Sequence, residues 1–276
     1  MDSLRLGINT SFALRRWSQP YQWMELIYSQ FELNICELSL DLIHPILREP
    51  TKTAYMQEIL ELGDTYPIEI VSCRTGQNKY NEDLLLHPNF GYRIDAIQWF
   101  EKAIDIAAYI NTSYVGGYFG GFTIQEHTDP QQLEYALSFL SDSMSYLSSI
   151  AYAAGLSGLF FEPFSLVSDK DCNIELNKKI SVGLQGRSKI PIFISPNGKL
   201  LNIEDWISNF STSVQILLIQ NLEQAKKIQT LYKQTKLDSH QPVYIILNYT
   251  SVVEQSTKLL LKDLKETINA IKEIFC

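Results

Sequence analysis

The sequence predicts an α/β protein with a single (β/α)₈ TIM barrel. The chain has 276 residues, and about 250 are typical of this fold. Short β-branched or aromatic runs alternate with longer amphipathic runs, and the strand-like runs number eight. A doubly wound sheet is the alternative, but eight strands in one regular alternation favour the barrel. No linker or shift in composition interrupts the chain, so we expect one domain over residues 1–276.

Each predicted strand is a short run of β-branched or aromatic residues with turn residues at its ends. In chain order, the predicted strands span residues 4–10, 35–41, 68–75, 113–121, 158–165, 190–197, 214–221 and 243–250. Parallel strands need a crossover connection between them, which is usually a helix. The spacing of roughly 30 to 45 residues leaves room for one helix after each strand.

The predicted helices show apolar residues at helical spacing. They span residues 21–32, 55–64, 92–109, 130–153, 222–233 and 252–275. Asp129 precedes Pro130, which is typical of a capping carboxylate followed by proline at the first helical position. Gly155 follows the fourth of these helices, where a left-handed C-cap residue is expected.

Composition and charge exclude several classes of protein. With 45% hydrophobic and 20% charged residues, the chain is typical of a globular protein. The net charge of −8 disfavours nucleic acid and anionic membrane surfaces as partners. The longest apolar runs are about five residues, whereas a membrane helix needs about 20. The first strand ends without a GxGxxG motif, so a dinucleotide site has no support.

The cysteines and the N-terminus predict a cytoplasmic protein. The four cysteines are scattered and show no CxxC spacing, which indicates free thiols in a reducing compartment. They are Cys36, Cys73, Cys172 and Cys276. The chain passes from Met1 directly into a strand pattern, so we expect no signal peptide.

Five segments within residues 4–165 carry a family resemblance through their order and spacing. They are Leu-Gly-Ile-Asn-Thr-Ser-Phe-Ala at 6–13 followed by Arg16-Trp17, Glu-Leu-Ser-Leu-Asp-Leu at 37–42 followed by His44-Pro45, Thr75-Gly76 with Leu-His-Pro at 86–88, Gly-Gly-Tyr-Phe-Gly-Gly at 116–121, and Phe-Glu-Pro-Phe-Ser at 161–165. In these segments the chain resembles the sugar-phosphate isomerase/epimerase superfamily of xylose isomerase-like TIM barrels. The nearest branch is the tetrulose-phosphate epimerases.

The resemblance implies a divalent metal at the C-terminal mouth of the barrel. In that family the ligands are a Glu from strand five, an Asp from strand six, a His from strand seven and a Glu from strand eight. The two Glu residues flank the substrate carbon as acid and base. A cation stabilises the enediolate that forms when a proton leaves the carbon beside a carbonyl.

Only the first of these ligands has a counterpart here. Glu162 matches the strand-five ligand, and the other positions fall on Pro196, Leu218 and Ile245. None of these three side chains binds a cation, so we expect a degenerate metal site and no cofactor. A rebuilt metal site that combines Glu162 with other acidic or imidazole groups stays open. Its candidate ligands are Glu37, Asp41, His127 and Asp129.

The remaining candidate residues lie at or near predicted strand ends. Glu162 is the candidate catalytic residue, and a structural salt bridge is its alternative role. The candidate ligand-binding residues are Asn9, Arg74, Tyr118, Asn197, Lys199 and Asn248. Amides suit a polyhydroxylated ligand, cations suit a phosphate or carboxylate, and an aromatic ring suits the floor of a sugar site. Arg74 has a second interpretation as the counter-charge of Glu37 or Glu162.

Three functions remain open at this stage. The first is a divergent barrel that binds a sugar, sugar phosphate or related small molecule without the family's metal chemistry. The second is an active isomerase or epimerase that uses Glu162 as base, without metal or with a rebuilt site. The third is a non-catalytic interaction subunit, either a homodimer or paired with a related protein. Fold alone does not decide between them.

Overall fold

The described residues form a (β/α)₈ barrel, as predicted. The computed structural model describes residues 4–163, 174–195, 216–235, 242–249 and 255–275. Its eight strands are all parallel where they pair. They are β1 (Leu4–Asn9), β2 (Ile35–Ser39), β3 (Glu69–Arg74), β4 (Tyr114–Gly117), β5 (Gly158–Phe161), β6 (Ile192–Ile194), β7 (Ile216–Ile219) and β8 (Val243–Leu247). Each lies within or overlaps a strand that the sequence predicts.

Strand order follows chain order around the barrel. The sheet runs β6-β5-β4-β3-β2-β1-β8-β7, so β1 pairs with both β2 and β8. This pairing of the first and last strands distinguishes a barrel from a doubly wound sheet. Between β6 and β7 the described residues contain no ladder, and the barrel is closed on all its other seams.

The helices cover the outside of the barrel. The described residues include α1 (Pro20–Glu25), α2 (Thr51–Leu62), α3 (Phe90–Tyr109), α4 (Ile124–Thr128), α5 (Pro130–Ala153), α6 (Ile174–Gln185), α7 (Leu222–Thr235) and α8 (Thr257–Phe275). Helix α5 has the predicted bounds. Helices α4 and α6 were not predicted, and the first predicted helix is an α-helix that continues as the π-helical segment Leu26–Gln30.

The predicted helix caps at both ends of α5 are confirmed. The Asp129 side chain accepts a hydrogen bond from the backbone N–H of Gln131 at 2.9 Å, and Pro130 occupies the first turn. Gly155 has φ +84°, in the left-handed region that glycine adopts without a steric penalty. These contacts satisfy backbone groups that the helix itself leaves unpaired.

Two apolar clusters lie on opposite faces of the sheet. The smaller cluster consists of strand residues alone, so it is the barrel interior; its members are Ile35, Val71, Tyr114, Phe160, Ile216, Leu218, Tyr244 and Ile246, with Phe193 packed against them. The larger cluster joins the other strand face to the helices. Since side chains alternate along a strand, this division fixes which residues reach the mouth.

Close contact between β4 and β5 requires glycine at position 116. A Cβ on Gly116 would lie 1.7 Å from the carbonyl oxygen of Phe160. Glycine at position 116 therefore lets β4 and β5 approach each other closely.

The structure also bears on the membrane and thiol predictions. In the described ranges, no helix combines the length and apolar character needed to span a bilayer. Cys36 and Cys73 are buried free thiols. Cys172 and Cys276 lie outside the described residues, and the cytoplasmic location stays a prediction.

Candidate functional site at the barrel mouth

A layer of polar side chains lies above the apolar interior, at the C-terminal ends of the strands. Asn9 ends β1, Glu37 lies in β2 and Arg74 ends β3. Glu162 follows β5, and its backbone N–H donates to the carbonyl of Gly117 at 2.8 Å. The ladder thus continues to Glu162, and the alternation of β5 turns its side chain inward. In a TIM barrel this end carries the active site.

Glu37 is the hub of a buried hydrogen-bond network in this layer. Its Oε1 accepts from Asn9 Nδ2 at 2.8 Å and from Arg74 Nε at 2.6 Å. Its Oε2 accepts from the Ser72 hydroxyl at 2.8 Å. The side chain is fully buried. A buried carboxylate is stabilised when both oxygens are hydrogen-bonded and a cation lies beside it, and both conditions hold here.

Arg74 links the two carboxylates of the mouth. Its Nη1 donates to Glu162 Oε1 at 2.7 Å, and its Nη2 donates to the Ser195 hydroxyl at 2.7 Å. The guanidinium carbon lies 4.5 Å from the centre of the Phe160 ring. Burial by itself lowers the pKa of Arg74, but Glu37 and Glu162 outweigh it, so the net pKa is raised. The guanidinium therefore stays charged, and Arg74 pairs with both carboxylates that the sequence proposed as partners.

Glu162 is held through one oxygen. Its Oε1 accepts from Arg74 and also from the Tyr80 hydroxyl in a short hydrogen bond. Its side chain is only 3% exposed. Across the described part of the chain, no group donates to Glu162 Oε2. The carboxylate is thus fixed in orientation while one of its oxygens accepts no hydrogen bond from the residues described.

Two tyrosines stand beside Glu162. Tyr80 and Tyr118 stack with ring centres 4.8 Å apart and planes 16° apart. Burial, followed by the charge of Glu162, raises the pKa of Tyr80 well above its usual value. Burial, Asp83 and Glu162 together raise the pKa of Tyr118 to about 12. Both hydroxyls therefore stay protonated near neutral pH and can donate hydrogen bonds.

A chain of polar groups connects the start of the barrel to its end. Asn9 Oδ1 accepts from the backbone N–H of Ser11 at 2.8 Å, which caps the 3₁₀ turn Thr10–Ala13. The Ser11 hydroxyl donates to Asn248 Oδ1 at 3.0 Å. Asn9 and Asn248 are therefore joined across the β1–β8 seam, and Asn9 also contacts Glu37.

The strand register corrects the positions that the sequence assigned to the ligands of strands six to eight. The backbone N–H of Ser195 donates to the carbonyl of Phe161 at 2.8 Å, and the backbone N–H of Asn248 donates to the carbonyl of Ile219 at 2.7 Å. By alternation, the residues level with Glu162 on β6, β7 and β8 are Ser195, Gln220 and Asn248. On strands seven and eight, Leu218 and Ile245 were assigned instead.

Two of the three assigned positions do not reach the mouth at all. Leu218 lies one layer lower, in the apolar interior. Ile245 belongs to the cluster that faces the helices. Pro196 lies outside the described residues. The assignments on strands seven and eight were wrong because strand periodicity was read from the apolar runs, whose inner and outer faces are equally hydrophobic in a parallel barrel.

The structure brings five of the seven predicted site residues to the mouth. Asn9, Arg74 and Glu162 belong to the network around Glu37, Tyr118 joins it through Tyr80, and Asn248 joins it through Ser11. Asn197 and Lys199 lie outside the described residues.

Sequence reasoning missed the roles of Ser72, Tyr80 and Ser195. Ser72 lies two residues before Arg74, so period-two alternation was an available signal for it. The hydroxyl contact of Tyr80 depends on the path of the connection between β3 and α3.

Two of the residues considered for a rebuilt metal site, Asp41 and Asp129, have other partners. Asp41 accepts from the backbone N–H of Gln77 at 2.6 Å, and Asp129 caps α5. Glu126 forms a capping box with Thr123. Within the described ranges, no three His, Cys, Asp or Glu residues lie close enough to hold a metal ion.

Comparison with solved structures defines the class of fold. A xylose isomerase-like protein from Rhodospirillum rubrum ATCC 11170 matches with a TM-score of 0.86 and 19% identity, covering 98% of this chain and 99% of that one. D-psicose 3-epimerase from Clostridium cellulolyticum H10, solved with D-tagatose, matches with a TM-score of 0.70 and 10% identity over 98% and 99%. The chain has the fold of xylose isomerase-like sugar isomerases and epimerases, so the predicted resemblance is confirmed at the level of fold.

A sequence relative agrees with this class. The chain is 24% identical to D-erythrulose 1-phosphate 3-epimerase of Brucella abortus (strain 2308) over 165 residues. The match covers 59% of this chain and 53% of the relative, so it spans about half of the relative's length. No protein-family model matches the chain.

Proposed function

We propose that the mouth of this barrel binds a small polyhydroxylated ligand, namely a sugar, a sugar phosphate or a related molecule, without a divalent metal. One observation carries the proposal. Glu162 is oriented through Oε1 by Arg74 and Tyr80, while Oε2 accepts no hydrogen bond from the described residues. A nearly buried carboxylate oxygen of this kind is a strong acceptor for a ligand hydroxyl.

Among the described residues, the donor set of the mouth does not fit a divalent cation. Metal sites of this kind use carboxylate and imidazole ligands. The residues level with Glu162 on β6 to β8 are neutral, with one hydroxyl from Ser195 and two amides from Gln220 and Asn248. The Arg74 guanidinium lies 2.7 Å from the Glu162 carboxylate and would repel a second cation.

Arg74 has a positioning role in this proposal. Three of its nitrogens already donate to protein oxygens, and its side chain is only 3% exposed. It therefore supplies the positive charge between Glu37 and Glu162 without leaving the network. A phosphorylated ligand would need a further cation, and Lys199 is the candidate that the sequence provides.

A buried donor at the mouth also supports ligand binding. The Nε2 of Gln220 is buried and has no hydrogen-bond partner among the residues described. An unpaired buried donor costs free energy, and a ligand oxygen would satisfy it. With Glu162 Oε2 as acceptor and Gln220 Nε2 as donor, the mouth offers the two complementary groups that a hydroxyl or carbonyl requires.

Isothermal titration calorimetry with D-tagatose and D-erythrulose 1-phosphate tests this function. We expect saturable binding of at least one of them, weakened at least about tenfold by Glu162→Gln, since a lost charged hydrogen bond costs about 1.5–3 kcal/mol. Glu273→Gln, at an exposed position of α8, is the matched control and should bind as the wild type does. Binding that is absent, or equal in the Glu162→Gln variant, would refute the proposal.

An active isomerase is the second candidate, because a fixed carboxylate with one unused oxygen also suits a general base. Glu162 would remove a proton from the carbon beside a ligand carbonyl and return it. The relative and the solved structures are named as epimerases or isomerases, which favours carbonyl sugars. Glu37, the other carboxylate of the network, has both oxygens occupied. One-base isomerisation therefore fits the described residues better than two-base epimerisation.

Proton NMR in deuterated water separates the two candidates. An isomerase would exchange the hydrogen beside the carbonyl of D-tagatose or D-erythrulose 1-phosphate, and Glu162→Gln would abolish the exchange. A protein that only binds would leave that signal unchanged while saturating in the calorimeter.

A further inference from the structure

A cavity lies at the same end of the barrel as the mouth, outside the mouth network. It is formed by the connection between β3 and α3, by the first half of α3, and by Ile46 from the connection after β2. Its volume is about 580 Å³, which falls within the range of small-molecule pockets. None of the residues of the mouth network lines it. We call it the side cavity.

Three aromatic rings line the side cavity. His87 and Tyr92 stack with ring centres 4.2 Å apart and planes 16° apart. Trp99 is buried in the wall. The stack holds Tyr92 in place although 62% of it is exposed. Flat, preorganised rings of this kind offer a platform for the apolar face of a sugar ring.

The charged groups that line the side cavity indicate which ligand charge it favours. Lys79 is neutralised by Glu82, whose carboxylate lies 2.7 Å from Nζ. Asp83 and Asp95 also line the cavity, and neither carboxylate has an ion pair with any residue described. The lining is therefore negative overall, which disfavours phosphates and carboxylates as ligands.

The same wall contains a buried hydrogen-bond donor that has no partner among the described residues. The indole N–H of Trp99 is buried and has no hydrogen-bond acceptor in the described part of the chain. Buried donors are nearly always paired in native proteins. Asn81 and Gln98, which also line the cavity, add amide groups that both donate and accept hydrogen bonds.

We propose that the side cavity is a second binding site, for a sugar or amino sugar that carries no negative charge. The ring would stack on Tyr92 and its hydroxyl or amino groups would donate to Asp83 and Asp95. The proposal does not depend on the mouth, because the two sites share no side chain that contacts a ligand.

Saturation-transfer NMR on the full chain tests the site with three probes that share one ring and differ in charge. They are D-glucosamine at mildly acidic pH, D-glucose and D-glucose 6-phosphate. We expect saturable binding of D-glucosamine and D-glucose that depends on Tyr92, with Tyr92-dependent binding of D-glucose 6-phosphate at least tenfold weaker. Tyr92→Ala should weaken the binding of D-glucosamine at least fivefold. Asp95→Asn should reduce the difference in affinity between D-glucosamine and D-glucose.

Two controls keep the side cavity distinct from the mouth. Tyr152→Ala removes a tyrosine from α5 that is also 62% exposed and does not line the cavity, and should leave binding unchanged. Glu162→Gln should not affect D-glucosamine binding. The proposal is overturned if D-glucosamine and D-glucose do not bind, if Tyr92→Ala leaves their binding unchanged, or if Glu162→Gln abolishes it.

Discussion

At the scale of single residues, the mouth is organised by three buried charges. Arg74 lies between Glu37 and Glu162, with nitrogen–oxygen distances of 2.6 and 2.7 Å. Each carboxylate would be costly to bury alone, and the guanidinium serves both. Its planar fork allows separate donors to point at separate acceptors, which a lysine ammonium would not reproduce with the same geometry.

Removal of this cation should destabilise the whole protein. In Arg74→Ala, Glu37 and Glu162 stay buried without a counter-charge, so we expect the free energy of unfolding to fall by about 3–5 kcal/mol. Urea unfolding at neutral pH measures the change. Arg5→Ala is the control, because the Arg5–Glu69 pair is 35% and 42% exposed at the other end of the barrel and should contribute less than about 1 kcal/mol. Equal losses in both variants would contradict the assignment.

A buried thiol makes the free energy of unfolding fall as the pH becomes alkaline. Burial raises the pKa of Cys73 from 9.0 to about 12, with a smaller contribution from the charge of Glu37. A hydrogen bond with the Thr112 side chain acts in the opposite direction and lowers the pKa. As pH rises through about 9, the unfolded thiol loses a proton that the native thiol keeps, so stability present below that pH is lost. The slope is about 1.4 kcal/mol per pH unit for each such group.

Comparison of urea unfolding at mildly alkaline pH for the wild type and Cys73→Ala measures this slope. As pH rises, the free energy of unfolding of the variant should fall less steeply than that of the wild type. The difference in slope should correspond to about one proton. Cys36, whose pKa burial also raises, remains in both proteins and provides the reference slope. Parallel pH profiles would show that Cys73 ionises normally in the native state.

The sequence predicted the site residues unevenly, for physical reasons. Glu162 was identifiable because it closes a strand-like run, and Asn9 and Asn248 because they end others. The ligand positions on strands seven and eight were misassigned, since Leu218 and Ile245 look alike in sequence although one faces the interior and the other the helices. The pairing of Tyr80 with Glu162 spans 82 residues, and no local pattern specifies such a contact.

At the scale of secondary structure elements, helix α6 shows a signal that sequence reasoning overlooked. Leu176, Ile180 and Leu184 are buried at a spacing of four residues, which is the helical period. Helix α4 likewise begins with a Thr123–Glu126 capping box, which is a helix-start signature. The π-helical segment Leu26–Gln30 has no comparable signature and depends on tertiary packing.

The contact between β4 and β5 gives a prediction at this scale. Gly116→Ala places a methyl group 1.7 Å from the Phe160 carbonyl oxygen, so we expect a loss of about 3 kcal/mol or more. Gly183→Ala is the matched control: no heavy atom lies within 4 Å of the new methyl group in α6, and alanine should stabilise that helix by up to about 1 kcal/mol. Thermal unfolding compares them; a Gly116→Ala protein as stable as the wild type would contradict the strand packing.

At the scale of the whole molecule, the residues that stabilise the barrel and the residues of the candidate site lie in different layers. The apolar interior and the helix layer fix the strands, and the polar layer above them holds Glu162 in one orientation. Eight strands and their order followed from sequence alternation, because each strand–helix unit has its own apolar pattern. The polar layer followed only in part, because it also depends on which face of each strand turns inward.

Ligand binding with and without a chelator tests the central claim most directly. Calorimetric titration of D-tagatose and D-erythrulose 1-phosphate, on protein treated with EDTA and on the same protein with Mn²⁺ restored, is the measurement. We expect the same affinity in both samples and a loss of at least about tenfold in Glu162→Gln. Binding that disappears with EDTA and returns with Mn²⁺ would contradict a metal-free mouth organised around Arg74 and Glu162.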